Sequence, residues 1–289
     1  MRFTRTKAVL AAAGLSLSLA ACGGGEEGSV DVEVKAADNL TGVAKELSDA
    51  GKIKIGVKYD QPGISFKEPG SDVPVGFDVE MGKIIAANLG IEDDSIEWVE
   101  TVSDNRETFI KDGTVDLVIA SYSITDERRA VVGQAGPYYV TGQSLLVRKG
   151  DSDITGPDDL ANAKVCSVEG STSLERVQED YDAKPVPFAT YSECVAQLEN
   201  KTVDAVTTDG AILLGYAAEN PDELEVVGEP FSEERYGIGY QKDAEGMCDF
   251  LNETIEKSFE DDTWQEAFDA TLGESGSDAP EQPTLDPCP

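Results

Sequence analysis

The 289-residue chain carries 23 Lys and Arg against 57 Asp and Glu, a net charge of −34, and has no histidine. Surface charge of that sign disfavours nucleic acid as a partner, and the missing imidazole excludes Ser-His-Asp catalysis, His-ligated zinc and a histidine general base. With 40% hydrophobic and 28% charged residues the chain has the composition of a globular protein and length for one large or two modest domains.

Arg2, Arg5 and Lys7 precede Ala8 to Ala20, an apolar stretch too short to span a bilayer, so residues 1–21 read as a secretory signal peptide. It ends Leu19-Ala20-Ala21-Cys22, which resembles the bacterial lipoprotein box. Cys22 is then the expected site of lipidation (palmitate among the acyl chains), anchoring the protein to the cell membrane on its extracytoplasmic face. Removal of the signal leaves 20 cations against 57 acids, a net −37. Residues 22–39, opening Gly23-Gly24-Gly25-Glu26-Glu27-Gly28-Ser29, read as a flexible tether, with the fold starting near Leu40.

From there the pattern alternates between helix and strand. Residues 41 to 50 read as a short helix and Ile53, Ile55 and Val57 as a strand that ends at the turn Lys58-Tyr59-Asp60-Gln61-Pro62-Gly63. Phe77, Met81, Ile84, Ile85 and Leu89 recur at helical spacing, Ile96 to Val99 is extended, and a helix runs from Arg106 to Lys111. Val115 to Ile119 is a buried strand leading through Ala120-Ser121-Tyr122-Ser123 into a helix that starts at Thr125-Asp126-Glu127 and places Arg128 in its first turn. A guanidinium, two hydroxyls and a helix N-terminus at a strand's carboxyl end suit a carboxylate.

Gly136-Pro137-Tyr138-Tyr139 breaks the pattern and Ser144 to Val147 is extended. The alternation then restarts with a helix opened by Pro157 and Asp158, strands at 164–168 and 186–188 around a helix from Ser173, a helix capped by Ser192, and a strand from Val203 to Thr207. Residues 236 to 241 are extended, and two helices near 245–258 and 262–271 close the fold.

Thr-Val-Asp-x-Val occurs at Thr114 and again at Thr202, an offset of 88 that puts Ser121 and Asp209 at equivalent strand ends. Two lobes of related design follow: 40–141 with 240–272 as lobe 1, 142–239 as lobe 2, and 273–289 as a C-terminal tail. Two crossings near 140 and 238 would act as hinges around a cleft. With Cys22 assigned to lipid, Cys166, Cys194, Cys248 and Cys288 remain, an even number suited to an oxidising compartment. Three pairings exist; Cys166 with Cys194 and Cys248 with Cys288 is favoured, since the first pair falls within one region and the second ties down a Pro-rich tail.

The lipoprotein box, Gly76-Phe77-Asp78-Val79 opening a helix, Ser-x-Thr-x-x-Arg from Ser123 to Arg128 followed by Gly136-Pro-Tyr-Tyr, Gly170-Ser-Thr and Val203-Asp-Ala-Val-x-x-Asp209 together resemble the polar amino-acid-binding proteins of ABC importers, solute-binding family 3. Tyr59-Asp-Gln-Pro-Gly63, Asn105-Arg106-Glu107, Cys166-Ser-Val-Glu-Gly-Ser-Thr172 and Tyr191-Ser-Glu-Cys194 are similar to the glutamate-binding lipoproteins of actinobacteria. The resemblance implies an α/β, two-lobed periplasmic-binding-protein-like fold with the ligand between the lobes, no cofactor, metal or catalytic residue, and a monomer that hands its ligand to an ABC permease and its ATPase. It further implies that Arg128, with Ser123 and with Thr172 from the other lobe, holds the ligand α-carboxylate. Asp209, beside Ser121 and the Ala120 carbonyl, would accept from the α-ammonium. Arg106 and Lys58 would face the distal carboxylate of an acidic amino acid, glutamate ahead of aspartate. Alternatively Arg106 pairs with Glu107 or Asp104, Lys58 is a solvated strand-end lysine, and Gln61 reads an amide as readily as an acid, which keeps glutamine open as the ligand. A dehydratase or lytic enzyme on the same scaffold is the rival of another class and would need Asp209 or Glu169 as its acid or base; a sensor domain with a separate signalling partner is a third reading.

Overall fold

The computed structural model describes residue 30 and residues 32–288; the signal peptide, Cys22 and the glycine-rich part of the tether lie outside the described residues. Well ahead of residue 40 the chain already packs, with Lys35 N–H donating to the Ala87 carbonyl and Ala37 N–H to that of Asn88, both at 2.9 Å. The ordered chain therefore starts ahead of Leu40.

The first lobe comprises α1 (Gly42–Ala50), β1 (Ile53–Val57), the short pair β2 (Asp60–Gln61) and β3 (Ser65–Phe66), α2 (Phe77–Asn88), β4 (Ile96–Glu100), α3 (Arg106–Asp112), β5 (Leu117–Val118), α4 (Asp126–Val131) and β6 (Gly133–Thr141). The second lobe holds β7 (Gln143–Arg148), β8 (Lys164–Val168), α5 (Thr172–Asp180), β9 (Lys184–Phe188), α6 (Tyr191–Glu199), β10 (Ala205–Asp209), α7 (Gly210–Glu219) and β11 (Leu224–Val227). The chain returns through β12 (Glu234–Tyr240) and ends in α8 (Met247–Glu260) and α9 (Thr263–Asp269). The two sheets are open, in the orders β4-β1-β5-β12-β6 and β11-β7-β10-β8-β9. β5 and β10, the two Thr-Val-Asp-x-Val strands, hold the third place in each. Both lead into the cleft at their carboxyl ends, where ligands gather in open α/β sheets.

Several local expectations change. Gly136-Pro137 does not end a strand but lies inside β6, at the edge of its sheet, where a proline costs no central ladder bond. The register against β12 shifts between Tyr236 and Ile238 to accommodate it. Pro157–Asp159 forms one 3₁₀ turn only. Thr190, not Ser192, caps α6, and Glu193 completes a capping box with it. β12 belongs wholly to the first sheet, paired with β5 and β6 from Glu234 onward, so the second crossing precedes residue 234. Its alternation explains this. Tyr236, Ile238 and Tyr240 enter the lobe 1 core, whereas the intervening Gly239 leaves room for Ile110 and Tyr122, whose atoms would lie 2.7 and 2.9 Å from a Cβ there.

The lobe 1 core centres on Phe77, Tyr138, Tyr139, Tyr236, Trp264 and Phe268, ring on ring at centroid separations from 5.5 to 6.2 Å. The Trp264 indole N–H is satisfied by the Tyr138 carbonyl at 2.8 Å. α2 is buried on every side, which places Asp78 and Glu80 inside the protein; Glu80 pairs with Lys83 at 2.8 Å and accepts from Val30 N–H at 3.0 Å.

Two disulfides join Cys166 to Cys194 and Cys248 to Cys288. The first closes a 28-residue separation between β8 and α6. By loop closure it contributes about 3–4 kcal/mol. Its Cys166→Ala/Cys194→Ala variant is expected to lose about that much in urea denaturation, and a loss below about 1 kcal/mol would show the bond to be dispensable.

Candidate functional site

Three features after the end of β5 build one wall of the cleft. Ser121 sits at φ 43°, in the left-handed region that a non-glycine residue occupies only when held there. The holder is Asp78, whose Oδ2 accepts from Ser121 N–H at 2.8 Å and whose Oδ1 accepts from the Tyr138 hydroxyl at 2.6 Å. Burial lifts the Asp78 carboxyl to about 6 against the pull of those two hydrogen bonds. Next, Tyr122 lays its ring beneath two cations, with the Arg106 and Arg128 guanidinium carbons 4.5 and 5.0 Å from its centroid. Tyr122 donates its hydroxyl to Glu107 Oε1 at 2.6 Å, and the same oxygen lies 3.5 Å from Arg128 Nε. Thr125 then caps α4, accepting from Arg128 N–H at 3.2 Å.

The two arginines are aimed by carbonyls. Arg128 donates to Ser123 O at 2.7 Å and to Gly170 O at 3.0 Å. Arg106 donates to Ser103 O at 3.1 Å, to Ala120 O and Ser121 O at 3.2 Å each, and to Gly170 O at 2.9 Å. Burial and the neighbouring Arg128 bring Arg106 down to about 10. Neither expected acidic partner of Arg106 is used: Glu107 serves Arg128 and Tyr122 instead. The Gly170 carbonyl of lobe 2 thus meets two guanidiniums of lobe 1, a negative dipole end where an anionic oxygen would be equally welcome.

The opposite wall comes from lobe 2. Asp209 ends β10 and is buried; one oxygen accepts from the Tyr236 hydroxyl at 2.6 Å and the other has no hydrogen-bond partner among the described residues. Burial, followed by the nearby charge of Glu234, lifts its carboxyl to about 7. Glu234 in turn accepts from Thr172 at 2.9 Å and from Ser232 at 2.9 Å. The lobe 1 aromatic core therefore supplies a phenol to both of these buried aspartates, Tyr138 to Asp78 and Tyr236 to Asp209.

The cleft so formed is nearly shut, with about 10 Å³ of free volume, room for about one water molecule. It is lined by Arg106, Ser121, Ser123, Arg128, Thr172 and Asp209 from the sequence reading, and by Ser103, Ser171, Ser173, Tyr191, Thr208 and Ile212, which that reading missed. Ser103 carries the connection to Lys58, which is buried behind it and donates to its hydroxyl at 2.7 Å. Lys58 is not a solvated strand-end lysine; burial and then Arg106 lower it to about 7. The Ala120 carbonyl is taken by Arg106. Gln61 does not line this space, yet its side chain is fully buried with neither amide atom partnered among the described residues. Glu169, the rival acid–base candidate, is exposed.

The lobes touch around this space. Asp60 Oδ2 accepts from the N–H groups of Tyr191 and Ser192 at the start of α6, at 2.7 and 3.3 Å, and the Asp60 carbonyl accepts from the Tyr216 hydroxyl. Gly170, at φ +73°, lies so close to lobe 1 that a Cβ would come within 2.8 Å of Asp104 Cα. Gly170→Ala is therefore expected to hold the lobes apart, with a larger radius of gyration in solution scattering and ligand affinity lowered by at least about tenfold, since the clamp needs both walls. Unchanged affinity would mean that the lobes do not meet here.

Comparison with known proteins agrees with this fold. The model of the bacterial extracellular solute-binding proteins, family 3, matches residues 53–274. A glutamate-binding protein GluB of Corynebacterium glutamicum is 38% identical over 94% of this chain and 92% of its own length. The ABC transporter glutamine-binding protein GlnH of Bacillus subtilis is 34% identical over 86% of this chain and 90% of its own. Among solved structures, an ancestral arginine-binding protein bound to arginine aligns with a TM-score of 0.70 at 33% identity, covering 76% of this chain and 97% of that one. The receptor for L-cysteine of Neisseria gonorrhoeae aligns at 0.74 with 28% identity, covering 80% and 94%. A two-lobed α/β chain with a buried carboxylate facing two guanidiniums across a small cleft thus belongs to the bacterial extracellular solute-binding proteins, family 3.

Proposed function

We propose that this protein is the extracytoplasmic receptor of an ABC importer, tethered to the membrane by lipid at Cys22, and that it captures an acidic L-amino acid, glutamate ahead of aspartate, and delivers it as a monomer to a permease and its ATPase. The observation that carries the reading is the unpartnered oxygen of Asp209 facing Arg128 across the cleft. A fixed anion and a fixed cation on opposite lobes match the ammonium and α-carboxylate of a zwitterion, and only the closed form engages both.

Acidic specificity rests on the surplus of cations. With Arg128 on the α-carboxylate, Arg106 and the Lys58–Ser103 pair remain on the lobe 1 side to meet a distal carboxylate. Lys58, brought down to about 7 by burial and Arg106, would regain its proton when an anion settles beside it. The two relatives at 38% and 34% identity, named for glutamate and glutamine, mark the choice to be tested. Calorimetry of the purified protein with glutamate, aspartate, glutamine and asparagine is expected to give one-to-one binding tightest for glutamate. Preference for glutamine would overturn the use of Arg106 and Lys58.

Asp209 at about 7 also has the poise of a general base, which is the one observation favouring an enzyme. Glu234, invisible as its neighbour in the sequence, is the partner that helps to raise it. A ligand ammonium supplies the positive charge that this carboxyl lacks, so binding accounts for the arrangement without a reaction. Recovery of the bound amino acid unaltered after prolonged incubation is expected; its consumption would establish the enzyme.

A further inference from the structure

The last residues of the chain are fastened to lobe 1 at several points. Cys288 is bonded to Cys248 in α8. Asp286 N–H donates to the Gly136 carbonyl of β6 at 2.8 Å, while Asn252 of α8 donates to the Asp286 carbonyl at 2.8 Å and accepts from Gly136 N–H at 2.9 Å. These contacts deliver the Asp286 carboxylate to a place between two guanidiniums. Its Oδ1 accepts from Arg235 at 2.6 Å; its Oδ2 lies 2.8 Å from an Arg129 nitrogen.

Those two arginines are set within the clamp's own backbone. Arg129 follows Arg128 in α4. Arg235 stands in β12 between Glu234, which accepts from Thr172, and Tyr236, which donates to Asp209. The two segments are also stitched to each other: Ile124 N–H donates to the Arg235 carbonyl at 2.8 Å, and Ser123 bridges to Tyr236. One carboxylate therefore neutralises the mutual repulsion of cations on the segment that aims Arg128 and on the segment that holds Asp209. Without it, two like charges would push α4 and β12 apart beside the cleft. The carboxylate and both guanidiniums are between one fifth and one third exposed, so the Coulomb energy is screened and the consequence lies in alignment more than in stability.

We propose that Asp286, carried into place by the Cys248–Cys288 bond, is a positioning residue for the ligand clamp, setting α4 against β12 so that Arg128 and the Tyr236-held Asp209 face the amino acid together. The C-terminal segment is then a strap for the binding site, not a solvated tail. The inference rests on the amino-acid-binding reading above, and acts at the α-carboxylate and ammonium, not at the ligand's distal group.

The test uses the full mature chain, with calorimetry against L-glutamate and L-glutamine and a thermal melt of each variant. Asp286→Asn is expected to weaken whichever of the two ligands the wild type binds by about 5- to 20-fold, by the same factor for both where both bind, at temperatures where the protein remains folded. Asp286→Glu is expected to recover most of that loss, which a purely structural defect would not allow. Cys248→Ser/Cys288→Ser, which leaves every charge in place but frees the strap's end, is expected to shift affinity in the same direction by a smaller factor, and decides the matter should Asp286→Asn fail to fold. Affinity within twofold of wild type in the folded variants overturns the strap while leaving the receptor intact. A wild-type protein that binds neither amino acid removes the reading beneath it, and the strap's role with it.

Discussion

Replacing Arg128 by alanine is expected to weaken amino-acid binding by about 2–5 kcal/mol, roughly 30-fold to several thousandfold in Kd. The size follows from what would be left behind. A ligand carboxylate enclosed in the cleft has lost its water, and Arg128 is the cation whose side chain is directed there by Ser123 O and supported by Glu107 and the Tyr122 ring. Arg106 cannot stand in, because its Nε and Nη1 donors are held by the carbonyls of Ser103, Ala120 and Ser121, which leaves only the Nη2 group for a distal carboxylate. Because Ser123 O and Gly170 O would each lose a donor, a modest loss of thermal stability is expected too, and it separates from the binding effect when the titration is run well below the melting transition. Binding within threefold of wild type would remove Arg128 from the clamp.

Asp209→Asn is expected to have a comparable effect at neutral pH, about 2–4 kcal/mol, because an ammonium would then face a neutral amide in a buried position. The pH dependence supplies the sharper signature. Burial and Glu234 hold the Asp209 carboxyl at about 7. Ligand ammonium favours the ionised form, so binding expels a proton whenever the pH lies below that value, and affinity falls as the solution is acidified through it, by about tenfold per unit. Asp209→Asn should flatten this acid limb.

Lys58 carries the opposite sign. Burial and Arg106 hold it at about 7, and a distal carboxylate favours its protonated form, so glutamate binding takes up a proton above that value and weakens as the pH rises. Glutamate affinity is therefore expected to be greatest near neutrality, whereas an amide-bearing ligand should show only the acid limb. Titrations in buffers of different ionisation enthalpy read the proton count directly. Profiles flat between about pH 5.5 and 8.5 for both ligands would remove both groups from the site.

How much of this could be read from the chain depended on whether the signal was local. The turn from β5 into α4 was legible because an apolar strand, a capping Thr125 and an acidic first turn follow one another without a break. The offset of 88 placed Ser121 and Asp209 at matching strand ends, and β5 and β10 hold matching places in their sheets. Glu234 and Tyr236 were not legible as neighbours of Asp209, since alternation along β12 reveals a strand but not which sheet it joins. Assigned to the wrong side of the crossing, that strand could not be seen to reach across to Thr172 and Asp209. Ser103, Ser171 and Thr208 were hidden for another reason: a serine or threonine at a strand end or turn is what any loop requires, and only its neighbours in space give it a function. Arg106 shows the converse. Its position was foreseen, but sequence does not reveal that backbone carbonyls would occupy its donors.

The contact between Asp60 and the start of α6 bears on how faithfully such a receptor reports its cargo. It joins the lobes through protein groups alone, so it stabilises the shut form whether or not an amino acid lies within, and each increment it adds raises the population of shut, empty molecules. A permease that recognises receptors by their shut outline would count those molecules as loaded and spend ATP on nothing. Tight capture favours a strong latch, and truthful signalling favours a weak one. The two hydrogen bonds that this partly exposed carboxylate accepts are a small increment beside the Gly170 and Tyr236–Asp209 contacts that also join the lobes, so the amino acid itself, bridging Arg128 and Asp209, would still decide when the message is sent.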